Sequence, residues 1–162
     1  MPSELIVESG SVDTTRQLAT ICAEALRSGM TFALNGQLGS GKTLFVRAFC
    51  EALGVDSSSV SSPTFVLMQL YEGTDWMISH FDTYRLGDPD EFLALGAEEY
   101  LHDPQVISLI EWAERVQDLL PADHVAIGFE QTGQKARCLT ITCHGPDGML
   151  WLDDVRCKLE QR

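Results

Sequence analysis

Apolar positions along this chain recur at two periods, about three and a half residues and two, and the switches between them mark the elements. Leu5-Ile6-Val7 is a short β run that suits an edge strand. Leu18, Ile21, Cys22, Ala25 and Leu26 then form one helical stripe, capped by Ser11 or Asp13 and ending near Gly29. Met30 to Leu34 reads as a buried strand, and Leu44, Phe45, Ala48, Phe49, Ala52 and Leu53 as a helix closed by Gly54. Residues 55–63 are small and polar, a loop. Thr64 to Tyr71 and Trp76 to Phe81 read as strands joined by the turn Glu72-Gly73-Thr74-Asp75. Asp88-Pro89 opens a helix running through Phe92 and Leu93 towards Gly96. Val106 to Ile110 is a further buried strand, and a helix through Val116, Leu119 and Leu120 stops at Pro121. Val125 to Phe129 and Arg137 to Cys143 make a last pair of strands around Thr132-Gly133-Gln134. In the tail from Met149, Leu152, Val155 and Leu159 suggest a helix, but the pattern does not fix its order. Hairpins beside strand–helix–strand units predict an α/β fold with a mixed parallel and antiparallel sheet flanked by helices. Residues 1–162 fit one domain.

Between the strand at Met30 and the helix at Leu44 lies Gly36-Gln37-Leu38-Gly39-Ser40-Gly41-Lys42-Thr43, a full match to G-x-x-x-x-G-K-[ST]. A flexible polyanion needs many donors converging without side-chain bulk. Glycines let the backbone wrap close to a phosphate, and the helix adds the positive end of its dipole. Lys42 would reach the β- and γ-phosphates, and the Thr43 hydroxyl would ligate Mg²⁺. Strand, glycine loop, helix is the setting this motif requires.

Composition narrows the partners. With 11 basic and 24 acidic residues the net charge is −13, a poor surface for neutralising nucleic-acid phosphates, so any nucleic acid is expected to be met through another protein. Only three lysines occur, Lys42, Lys135 and Lys158. No apolar run approaches a membrane span, and the opening Met1-Pro2-Ser3-Glu4 lacks the plan of a secretory leader, so a soluble cytoplasmic protein is expected. Cys22, Cys50, Cys138, Cys143 and Cys157 form no C-x-x-C pair. Cys22 and Cys50 sit at core positions. Cys138 and Cys143 fall on opposite faces of one strand, so the cysteines read as reduced and structural, with no zinc site.

A triphosphate site needs groups to hold Mg²⁺ and to position the attacking water, and α/β proteins gather such groups at the C-terminal ends of core strands. Two strands end in an acid there: Met77 to Asp82 and Val106 to Glu111. One acid would act on the metal and the other on the water; the sequence alone leaves open which. His80 shares a strand face with Asp82 and suits a hydrogen-bonded supporting role better than a general base. Arg85 could stabilise phosphoryl charge, grip a partner or form a surface ion pair, and Tyr84 suits packing.

The loop at Gly36–Thr43, then Ser62-Pro63-Thr64-Phe65, then His80-Phe81-Asp82-Thr83-Tyr84-Arg85-Leu86, then Ile110-Glu111-Trp112 together resemble the successive signatures of the TsaE (YjeE) family, from about Ser11 to Arg137. The resemblance implies a P-loop ATPase that binds ATP and Mg²⁺ in the bacterial machinery making threonylcarbamoyladenosine in tRNA. It implies work with the TsaB and TsaD proteins, in which TsaD performs the carbamoyl transfer and the ATPase supports repeated turnover. It also implies that hydrolysis is weak alone, that partners stimulate it and that tRNA is met only through the complex. By the same likeness Gly36 to Thr43 would bind the nucleotide, Thr43 and Glu111 would hold Mg²⁺, and Asp82 belongs to the catalytic motif. Thr64 would sit in a switch-like loop that senses the γ-phosphate, and Trp112 would lie close to the nucleotide. Thr15 and the stretch from Gly133 to Arg137 match positions near the base.

Two positions depart from the pattern. The family commonly has an acid at position 37 and alanine at position 40, where this chain has Gln37 and Ser40. ATP binding should survive, because backbone N–H groups dominate there, whereas any hydrolytic role for residue 37 is put in doubt. Two other readings compete: a small-molecule P-loop kinase, which would usually carry an arginine-rich lid, and a regulatory GTPase, which would need a guanine-reading Asn/Thr-Lys-x-Asp. Eight scattered arginines make no lid, and neither Lys135 nor Lys158 has the GTPase setting.

Overall fold

A computed structural model describes residues 3–162; Met1 and Pro2, part of the opening considered above as a leader, lie outside the described residues. The seven strands are β1 (Ser3–Ser9), β2 (Thr31–Gly36), β3 (Met68–Glu72), β4 (Met77–Asp82), β5 (Val106–Glu111), β6 (His124–Gln131) and β7 (Arg137–His144). They form one sheet in the order β1-β7-β6-β2-β5-β4-β3. The middle four, β6, β2, β5 and β4, run parallel, while β1, β7 and β3 add antiparallel borders. This is the mixed α/β sheet the pattern predicts, with Leu5-Ile6-Val7 in an edge strand.

Period-two alternation sends successive residues of the central strands to opposite layers. Phe32 and Leu34 of β2 join the core beneath α1 (Val12–Glu24), α2 (Lys42–Ala52) and α5 (Pro146–Glu160), whereas Ala33 joins the core beneath α3 (Pro89–Ala94) and α4 (Ala97–Leu101). In the first layer Phe32 meets Phe49 and Trp151 edge-on, with ring centroids 5.2 and 5.3 Å apart. In the second Phe81 packs on Phe92 at 5.0 Å. Ser11 caps α1 by accepting from Thr14 N–H at 3.1 Å, and Asp88 caps α3 ahead of Pro89. No helix among the described residues is long and apolar enough to cross a membrane.

Several elements differ from the pattern. The strand expected over Thr64–Tyr71 begins only at Met68. Residues 64–66 form a turn that closes through a 2.6 Å bond from Leu67 N–H to the Pro63 carbonyl, with Leu67 at φ +70°. Side-chain oxygens of Ser62 and Thr64 are drawn to Asp82, and that local demand overrides the β propensity of Phe65 and Val66. The first helix stops at Glu24 rather than near Gly29. Gly29 is needed elsewhere: a Cβ there would lie 2.6 Å from the Asp103 carbonyl oxygen. The segment through Val116 is a 3₁₀ stretch over Ala113–Leu119, broken at Val116 itself (φ −125°, ψ 25°). The helix α4 has no counterpart in the sequence reading; at five residues it is too short to show a periodic stripe.

The tail is the helix α5, tied into the first core layer. Trp151 is buried, and its indole N–H donates to the Cys22 carbonyl at 2.9 Å. Burial pushes the Cys22 thiol well above its ordinary range and those of Cys50 and Cys143 up to about 12, so these sulfurs stay protonated and pack as small apolar groups. Trp151→Ala is expected to lower stability by about 3–5 kcal/mol, through lost packing and an orphaned carbonyl, as measured by urea unfolding.

Candidate functional site

The loop between β2 and α2 is shaped by backbone geometry before any side chain acts. Gly36 sits at φ +154°, where a Cβ would come within 2.6 Å of the Phe129 carbonyl oxygen, and Gly41 takes a left-handed φ of +106° as α2 begins. The loop therefore wraps over the helix N-terminus, the arrangement that receives anions. Lys42 folds back along it, its ammonium donating to the carbonyls of Gly36 and Gln37, the latter at 3.1 Å. Partial burial lowers the Lys42 pKa, opposed by the nearby carboxylates of Glu111, Glu114 and Asp82. From the far side Arg137 braces the loop, donating to the Ser40 carbonyl at 2.9 Å and the Gly39 carbonyl at 3.3 Å.

The strand-end acids stand beside this loop. Parallel pairing of β4 with β5 sets Asp82 directly against Glu111, and each is only 2% exposed. Glu111 Oε1 accepts from the Thr43 hydroxyl at 3.0 Å, and its Oε2 lies 2.6 Å from His80 Nε2. Asp82 Oδ2 accepts from the hydroxyls of Ser62 and Thr64 at 2.8 and 2.9 Å, and its Oδ1 from Tyr84 N–H at 2.9 Å. Behind His80, the Tyr71 hydroxyl lies 3.0 Å from Nδ1; burial pushes this phenol up to about 12, so it remains a hydroxyl.

A cleft of about 550 Å³ opens over these groups, lined by both acids, Lys42, Thr43, Thr64, Arg85 and Trp112 among others. Trp112, with a left-handed φ of +60°, lays its ring under the Lys42 ammonium at 4.0 Å and meets Tyr84 at 4.8 Å. Arg85 sits over Phe65 at 4.6 Å and forms no ion pair among the described residues, so the surface salt bridge considered for it is absent. Around the mouth, Leu38 is 84% and Phe65 82% exposed. Positive groups above and paired hard oxygens below suit a polyanion carrying a divalent cation.

The sequence candidates divide accordingly. Leu38, Gly39, Gly41, Lys42, Thr43, Thr64, Asp82, Glu111, Trp112 and Arg137 line one cleft, while Gly36, Gln37 and Ser40 complete the loop beneath it. Two of the candidates near the base stand apart from that lining. Thr15 is buried with its hydroxyl 2.7 Å from that of Ser9, and Gly133 lies in the β6–β7 turn, where its carbonyl accepts from Gln131 at 3.1 Å. Ser62 enters the sequence reading only within S-P-T-F; its signal was a hydroxyl two residues from Thr64, doubling the donors for one acid. Tyr71 carried no signal beyond an apolar strand position.

Asp82 holds the Ser62–Leu67 turn through charge-assisted bonds in a dry setting, each contributing about 1.5–3 kcal/mol. Asp82→Ala should therefore speed backbone amide exchange over residues 62–67 while leaving α2 protected. Unchanged protection in that turn would show that the strand end does not hold it.

Comparison with known proteins identifies the family. The family model described as "Threonylcarbamoyl adenosine biosynthesis protein TsaE" matches residues 9–139. Proteins named tRNA threonylcarbamoyladenosine biosynthesis protein TsaE are similar to this chain over most of its length. That of Rickettsia conorii is 37% identical over 83% of this chain and 76% of its own. That of Bacillus subtilis is 35% identical over 82% of each. The crystal structure of Bacillus subtilis YdiB superposes with a TM-score of 0.79 at 27% identity, covering 98% of this chain and 97% of that one. With these signatures, this sheet and these matches, the chain belongs to the TsaE family of tRNA threonylcarbamoyladenosine biosynthesis proteins.

Proposed function

We propose that this chain is an Mg²⁺-dependent ATPase that supports turnover of a TsaB–TsaD complex modifying tRNA, rather than performing the carbamoyl transfer itself. The observation that carries the reading is the convergence of the Gly36–Thr43 loop, Lys42 and two buried strand-end acids on one cleft. The backbone N–H groups of the loop and the start of α2 take the phosphates. Lys42 exchanges its loop carbonyls for phosphate oxygens, a shift that replaces neutral acceptors by charged ones. The residues fit Mg²⁺: Thr43 and Glu111 are hard oxygen donors already 3.0 Å apart. When bound, the cation neutralises charge on the phosphate oxygens. Asp82, with the Ser62 and Thr64 hydroxyls around it, would orient the attacking water. Water forms a bond to the γ-phosphorus as the bridging bond to ADP breaks, releasing ADP and phosphate. Arg137, engaged with the loop's own carbonyls, keeps the cradle rigid.

The exposed apolar side chains at the mouth, Leu38 and Phe65, support closure of the cleft by a partner protein, for which TsaB and TsaD are the proposal. A net charge of −13 supports meeting tRNA through that assembly. The proposed place of action is the cytoplasm.

The deciding measurement is steady-state ATP hydrolysis, alone and with TsaB, TsaD and tRNA. Slow turnover alone that rises with the complex is expected; brisk turnover indifferent to it would overturn the reading. Lys42→Ala should weaken ATP binding by about 100-fold or more, read by calorimetry. Glu111→Ala should spare most of the binding and lower Mg²⁺-dependent hydrolysis at least about tenfold.

A further inference from the structure

The Glu111 carboxylate divides its two oxygens between two directions. Oε1 faces Thr43 at the head of α2, and Oε2 is taken by His80 at 2.6 Å. His80 is 0% exposed, and both its ring nitrogens are engaged. A carboxylate oxygen only accepts, so Nε2 donates to Glu111, while Nδ1 on the far side of the ring is held 3.0 Å from the Tyr71 hydroxyl. That hydroxyl also lies 2.8 Å from Gln69 Oε1 and 3.4 Å from the Ser61 carbonyl oxygen. Ser61 begins the segment whose next side chains, Ser62 and Thr64, are held by Asp82. One short loop is therefore attached to both acids, directly to Asp82 and through Tyr71 and His80 to Glu111.

We propose that His80 and Tyr71 are positioning residues that fix Glu111 Oε1 toward Thr43 and couple it to the Ser61–Thr64 loop. This rests on the reading of Glu111 as an Mg²⁺ ligand. Deleting the Tyr71 oxygen removes the contact that holds the far side of the ring. The imidazole then loses its fixed orientation, and Glu111 Oε2 loses the donor that keeps Oε1 turned toward Thr43. A ring that merely filled space would tolerate that deletion.

The test follows the Mg²⁺ requirement of ATP hydrolysis by the protein with its proposed partners, beside nucleotide affinity in EDTA. Tyr71→Phe and His80→Leu should raise the Mg²⁺ concentration for half-maximal rate about 10–100-fold, the usual cost of losing a group that orients a metal ligand. Affinity for nucleotide without Mg²⁺ should stay within about twofold, because neither side chain lines the cleft. His80→Gln, whose amide N–H can still reach Glu111, should recover most of the loss. Tyr71→Phe added to Glu111→Ala should cost nothing further, since the two act in series. Should His80→Leu fail to fold, Tyr71→Phe decides alone, for it removes a single atom. A wild-type Mg²⁺ requirement in Tyr71→Phe, with Glu111→Ala impaired, overturns the coupling and leaves the ligand reading standing. A wild-type requirement in Glu111→Ala overturns both.

Discussion

Two carboxylates side by side at the ends of neighbouring parallel strands, each almost wholly removed from water, set the terms for the rest of this molecule. Burying an acid without partners costs several kcal/mol, and burying two together adds their mutual repulsion. The surrounding chain is arranged to meet that demand. Asp82 collects two hydroxyls and a backbone N–H; Glu111 collects a threonine and a histidine; Lys42 stands near both. The bend at Ser62–Leu67, the exposure of Phe65 and the inward turn of His80 all follow from supplying donors to these two groups.

The sheet makes the pairing unavoidable. Because β4 and β5 are parallel and in register, their last residues come level at the same edge, the one where the β2–α2 loop also arrives. Alternation then places His80, Asp82 and Glu111 on the face covered by α2, while Phe81 and Ile110 serve the opposite core. One strand period thus separates chemistry from packing without any specialised loop for the acids. What varies is the covering: a turn held by side-chain hydroxyls rather than by sheet pairing, bordered by apolar residues in solvent. Segments held by a few polar bonds open at low cost compared with core strands.

Membership of the TsaE family places the chain in threonylcarbamoyladenosine biosynthesis, and the departures from the family pattern fit the physics of this site. Gln37 contributes its carbonyl to Lys42, a backbone contact that survives any side chain. Ser40 is buried with its hydroxyl unpartnered among the described residues, and a Cβ on Gly36 would sit 2.7 Å from it. The extra hydroxyl thus makes no bond in the protein and sharpens the need for glycine at position 36.

The glycine loop, the two strand-end acids, the central strands and the caps at Ser11 and Asp88 were legible in the residues, because each depends on local geometry or on a periodicity spanning a few residues. The tail helix was half legible: Leu152, Val155 and Leu159 marked its stripe, but its anchoring by Trp151 to the Cys22 carbonyl joins positions far apart in the chain. The first part, Thr64–Leu67, of the strand expected over Thr64–Tyr71 failed for the same reason. Its apolar residues obeyed the β pattern, yet a carboxylate from another strand claimed its hydroxyls, and no local preference records that claim. Thr15 and Gly133 matched by likeness but stand outside the cleft lining, while Ser62 showed itself only through its place beside Thr64 and Tyr71 belongs to the network without announcing it. Sequence by itself determined which groups would carry charge and which elements would carry them. Tertiary structure alone decided which donor each buried acid would find, because that choice is made by strand register and burial, not by neighbours in the chain.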